Sequence, residues 1–127
     1  MPDFRTTCHI NAAVLVALFL VYLILPGLPL VAFDQTVTPE TRFVTRRSGI
    51  VFLGLAAMLM LARDAPASVS RQAIAIGMIV IWGGLAIFGA QAILRGIAGW
   101  MTWGTVVVEV VLAVLFVPHL RSGVAER

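Results

Sequence analysis

Charge is what this sequence has little of. Only 12% of its 127 residues are charged, 61% are hydrophobic, and the mean hydropathy is +1.03. A soluble domain carries charge on roughly a quarter of its residues, so this surface must face something other than water. Cysteine is nearly missing as well. Cys8 stands alone, which excludes an internal disulfide framework and a cysteine-rich metal site. Beside His9 it lacks the third group that an activated thiol would need. There is no Walker loop, HExxH, GxSxG or dinucleotide fingerprint, and the chain reads as non-enzymatic. No internal repeat supports an inverted-repeat transporter. The net charge is +3, but the nine arginines scatter at helix ends without forming a basic stripe. Nucleic acid is therefore rejected as a partner, and the arginines read as anchors at a bilayer surface.

What the sequence does have is four apolar stretches, which predict an all-α integral membrane protein, one domain of four transmembrane helices in an up-and-down bundle. The spans are approximately 8–25, 39–62, 69–94 and 101–118. The first stops at Pro26-Gly27-Leu28-Pro29, which a helix does not easily continue through. The second opens with Thr38 as a cap, Pro39 at the first helical position and Glu40 at the positive helix end. The third follows Asp64-Ala65-Pro66, and the fourth ends near Pro118. Each is long enough, at about 17–25 residues, to cross ~30 Å of hydrocarbon. Strands are disfavoured because the apolar runs do not alternate. The first span reads as a retained helix, since no small-x-small cleavage site follows it at a suitable distance.

Four crossings put both termini on one side, with Arg5, Arg63, Arg71, Arg121 and Arg127. Arg42, Arg46, Arg47 and Arg95 lie on the other. Arginines inside a span do not count as loop charges, so the bias places both termini in the cytoplasm. Trp100 and Trp103 read as interfacial belt residues, and Trp82 as a core or lipid-facing residue in mid-span. Asn11 is expected to hydrogen-bond another helix, and the pairs Ala13/Ala17, Ala73/Gly77 and Ala86/Ala90 to favour close packing. His9 and His119 sit near the same membrane face. An interfacial role outweighs a shared haem, for which no attachment motif exists.

The second span carries the most information. Ser48 to Ala62 is only 15 residues, so a full crossing must take in Arg46, Arg47 and Phe43. Glu109 lies well inside the fourth span and is too short to reach the headgroups, so it must be protonated, paired or beside a wet cavity. Thr102, Thr105, Glu109, Ala113 and Phe116 recur at helical spacing as the polar stripe of that helix. With Gln91 and Arg95 four residues apart on the third helix and Tyr22 on the first, these predict one intramembrane polar layer. Arg46, Arg47, Gln91, Arg95, Glu109 and Tyr22 are its candidate ligand-binding residues, with Glu109 paired to Arg46, Arg47 or Arg95. Such a layer would hold helices in register, bind a lipid-like or amphipathic small molecule or another membrane protein, or handle protons. The classes to separate are a non-enzymatic binding bundle, a quinone-docking accessory subunit of a redox complex, and a proton-coupled transporter acting as a homo-oligomer. No cofactor is indicated.

Arg47-Ser48-Gly49-Ile50 with Gly54, Arg95-Gly96 and Glu109, in that order over about residues 8–120, resembles the small four-helix bacterial membrane proteins related to the DoxX superfamily. The resemblance implies an up-and-down four-helix bundle in a bacterial inner membrane. It carries over the positions Arg47, Arg95 and Glu109 but no reaction. Some DoxX relatives are membrane subunits in quinone-linked sulfur oxidation, and nothing in this sequence matches a redox centre.

Overall fold

The computed structural model describes residues 2–120. Those residues form helices and turns, in the order α1 (Phe4–Ile24), α2 (Gly27–Ala32), α3 (Pro39–Ala62), α4 (Val69–Leu94) and α5 (Thr102–Val114). α1, α3 and α4 are long and apolar enough to cross a membrane; α5 is apolar but shorter. This is the helical architecture of a membrane protein.

Local chemistry sets each boundary. α1 begins four residues earlier than the apolar run suggests, because Asp3 caps it by accepting from the Thr6 N–H at 2.8 Å. α3 and α4 start where expected. Thr38 and Thr41 exchange hydrogen bonds in a capping box, Pro39 supplies a preset φ, and Ser68 caps α4 through the Arg71 N–H. α2 was not anticipated. Pro26 and Pro29 fall at its cap and first turn, where a missing N–H costs no internal hydrogen bond. α5 is shorter than the expected span at both ends. The chain from Gly99 to Gly104 and from Ala113 to Leu120 winds through i→i+3 hydrogen bonds, the tighter turn common at helix ends. Pro118 has no N–H to give Val114, which accounts for the change beyond α5.

α1 packs along α3 and α4 along α5, giving two hairpins. Contact is closest where a side chain is absent. A Cβ on Gly49 would lie 3.1 Å from the Tyr22 Cβ, and one on Gly89 would lie 3.0 Å from a Val106 methyl. Of the small-residue pairs anticipated from sequence, only Ala86 is buried; Ala13, Ala17 and Ala73 are exposed. The hairpins join through a polar bond in the core. Trp82 Nε1 donates to Asn11 Oδ1 at 2.8 Å, and Asn11 Nδ2 donates to the Thr7 carbonyl at 3.0 Å. Both residues are buried, so Asn11 bonds another helix as expected and Trp82 belongs to the core.

Both ends of the bundle are tied. At the end holding the N-terminus, Phe4 meets Phe116 and His119 edge-on, with centroids 6.4 and 5.4 Å away. The Arg71 guanidinium stands 4.4 Å above the Phe4 ring, and Arg5 pairs with Asp64 at 3.0 Å. At the other end Gln35 Nε2 donates to the Phe33 and Ile97 carbonyls, both at 2.9 Å, and Gly99 packs under Asp34. The turn that follows α2 therefore meets the α4–α5 turn. Between these ends most of the large exposed side chains are hydrocarbon. Leu61 is 88% exposed, Leu94 80% and Phe88 71%, an inside-out distribution that suits lipid.

Candidate functional site

The two hairpins do not close on each other along their whole length. Between them, under α2, lies a cleft of about 670 Å³. α1 gives it Leu18 and Tyr22, α2 and the following turn give Pro29 and Phe33, α3 gives Phe52, α4 gives Trp82 and Phe88, and α5 gives Thr102, Thr105 and Glu109. Phe88 and Leu28 line it and are also exposed, so the cleft opens at the molecular surface.

Its polarity is confined to a few groups. Thr102, Thr105 and Glu109 recur at i, i+3 and i+7 and form the inward stripe of α5, as the sequence suggested; Thr102, Ala113 and Phe116 on that stripe are buried. The Thr105 hydroxyl donates to the Thr102 carbonyl at 2.8 Å and is thereby occupied. Thr102 Oγ1 and Glu109 Oε2 are buried and have no hydrogen-bond partner. Two orphaned oxygens in one apolar cleft are unusual, because a buried polar atom normally finds a partner. Tyr22 faces the same space, its ring edge-on to Phe52 with centroids 5.1 Å apart.

The expected polar layer is corrected here. Of its six candidates, only Tyr22 and Glu109 line the cleft. Glu109 has no arginine partner: among the described residues the ion pairs are Arg5–Asp64 and Arg63–Asp64. The reason is azimuth. The buried face of α3 is Thr45, Gly49, Ala56 and Leu59, and successive helical residues step by about 100°. Arg46 and Arg47 are thereby turned outward, and both are exposed. Arg46 donates from Nε to the Leu23 carbonyl at 3.3 Å and lines a separate shallow groove with Arg42. On α4 the inward stripe is Ala75, Met78, Trp82 and Ala86, so Gln91 and Arg95 are likewise exposed. Similar depth does not bring side chains together when their helices present other faces.

Sequence reasoning missed the aromatic walls and Thr102 as a site residue. Thr102 was legible on the α5 stripe; the walls were not, because Phe33 follows the unanticipated α2. The histidines lie apart in role. His9 is exposed and bonds the Arg5 carbonyl at 2.9 Å, while His119 is buried with Arg71 Nη2 at 3.3 Å and Thr7 Oγ1 at 3.5 Å. Arg121 and Arg127, used in the topology count, lie outside the described residues. Comparisons of the chain with protein-family models, with characterised proteins and with solved structures gave no match.

Proposed function

We propose that this chain is a four-crossing inner-membrane protein that holds one amphipathic molecule in the cleft between its hairpins and performs no reaction on it. α5, extended by tightened turns over residues 101–118, makes the fourth crossing, and both termini face the cytoplasm. The observation that carries the reading is the cleft itself, hydrocarbon-walled with two unpartnered oxygens at Thr102 and Glu109. Its volume falls within the roughly 300–1,000 Å³ of small-molecule sites, which are apolar with a few fixed polar groups. The apolar part of the ligand lies among Leu18, Phe52 and Phe88, and its head sits at Glu109, Thr102 and Tyr22. The resemblance to DoxX-related proteins agrees with the bundle and adds no ligand.

The test is native mass spectrometry of the purified protein in a mild detergent. A retained small molecule is expected, lost when the cleft is filled by Val108→Trp and kept when the outward-facing Leu61 becomes Trp. Retention in both variants removes the cleft as the binding site. A second reading, proton-coupled exchange through a homo-oligomer, draws on the orphaned Glu109 carboxyl facing the cleft. It requires ligand-driven proton movement in liposomes that Glu109→Gln abolishes. A quinone-docking subunit would use the same walls, and a chromophore in the retained molecule distinguishes it.

A further inference from the structure

We infer that the cleft selects lipophilic ammonium ions, an assignment that rests on the cleft being a ligand site. Three features of the lining converge. The first is charge: among the described residues Glu109 is the sole acidic side chain of the lining, and no arginine or histidine lines the cleft. The arginines expected to neutralise Glu109 face outward instead. A ligand with a carboxylate or phosphate head would meet a like charge between hydrocarbon walls, with no cation in the lining to receive it.

The second is hydrogen bonding. An ionised carboxylate only accepts, and Glu109 Oε2 is buried without a donor. A protonated amine supplies both the N–H and the opposite charge. The Thr102 hydroxyl, also unpartnered, has two acceptor lone pairs for a further N–H or a ligand hydroxyl.

The third is the wall. Tyr22, Phe33, Phe52, Trp82 and Phe88 bring five aromatic side chains to the lining that holds one carboxylate. Trp82 has its indole N–H committed to Asn11, so what it offers the cleft is ring surface. Aromatic faces attract desolvated cations and are the usual means of recognising alkylammonium groups. Rings, a lone acid and the absence of any base in the lining are the complement of an alkylated amine with a hydrophobic body.

The protein in phosphatidylcholine nanodiscs, with Trp100→Phe and Trp103→Phe so that Trp82 reports alone, is titrated with three ligands of one carbon skeleton: a tertiary amine, the alcohol and the carboxylic acid. Empty nanodiscs give the partitioning background. The amine is expected to bind at least about tenfold tighter than the alcohol, the scale of a desolvated cation–π contact with an added charged hydrogen bond. The acid is expected to bind weakest. Glu109→Gln should bring amine and alcohol within about twofold of each other, and a far-ultraviolet circular dichroism spectrum like that of the wild type shows that the fold survives. A readout that needs no variant is competition on the wild-type chain. Tetraphenylphosphonium should displace the amine, and tetraphenylborate, of the same shape and opposite charge, should not. Equal binding of amine and alcohol, or displacement by both tetraphenyl ions, overturns charge selection and leaves the cleft a ligand site. Failure of all three ligands to bind a folded protein, with no retained molecule in the mass spectrum, sinks the ligand-site reading and this inference together.

Discussion

Asn11 and Trp82 show how much one buried hydrogen bond can decide in a bundle with few polar groups. The bond ties α1 to α4 and so ties the hairpins to each other. Asn11→Leu removes the acceptor and leaves the indole N–H in an apolar core. The expected loss is about 1–2 kcal/mol by unfolding in mixed micelles, at the upper end of what interhelical polar contacts contribute in membranes. Adding Trp82→Phe to Asn11→Leu should cost less than the two single changes summed, since the shared bond is already gone. His119 offers a second test, at the membrane edge. Burial, and then the Arg71 charge, hold its pKa below the ordinary 6.5. The unfolded chain therefore takes up the proton first as pH falls. The stabilisation is complete above about 6.5 and is lost on acidification through the lower, folded value. Melting temperature should drop between pH 7 and 5, and His119→Gln should flatten that slope. The Asp3 carboxyl, held low by its bonds to Thr6, titrates below its ordinary 3.8 and does not contribute in that window.

At the scale of elements, the glycines at helix contacts separate packing from mere sequence pattern. Gly49→Val places a branched side chain against the Tyr22 Cβ, close to backbone that cannot swing away. It should cost about 1–3 kcal/mol as overpacking and shift Tyr22 in the cleft wall, weakening any ligand held there. Gly54, five residues on, has open space where a Cβ would stand. Gly54→Ala should be neutral or stabilising by up to about 1 kcal/mol through helix propensity. If both substitutions behave alike in thermal unfolding, the α1–α3 contact is not the one described. Much at this scale was legible beforehand. Thr38-Pro39 marked the start of α3 because a cap acts within one turn of its own sequence, and Asp64-Ala65-Pro66 marked the break before α4. The fourth helix was harder to read, since hydropathy does not distinguish α-helix from the tighter turns at either end of α5.

The whole molecule makes its own demand on topology. Phe4 touches Phe116 and His119, so the chain enters and leaves the bundle at one end. Labels placed before Phe4 and after Arg127 should react from the same membrane face in intact cells or oriented vesicles. Opposite accessibility would mean that α5 does not cross and would move Glu109 out of the bilayer interior. Trp100 and Trp103, 79% and 43% exposed, belong to the other end and should be quenched by headgroup-level rather than acyl-chain-centre quenchers.

By itself the sequence determined what is local or compositional. An apolar chain with sparse charge needs a hydrocarbon surround, and caps and prolines divide it into helices. A three-to-four-residue stripe marks the inward face of α5 and picks out Glu109. What the tertiary structure decided is which groups meet. Depth along a helix follows from residue count, whereas facing depends on the rotation of each helix, which is set by contacts such as Gly49 on Tyr22 and Gly89 on Val106. Those rotations turned Arg46, Arg47, Gln91 and Arg95 away and left Glu109 facing aromatic rings instead of a guanidinium. No single helix encodes that outcome, because an azimuth is defined only against a neighbour.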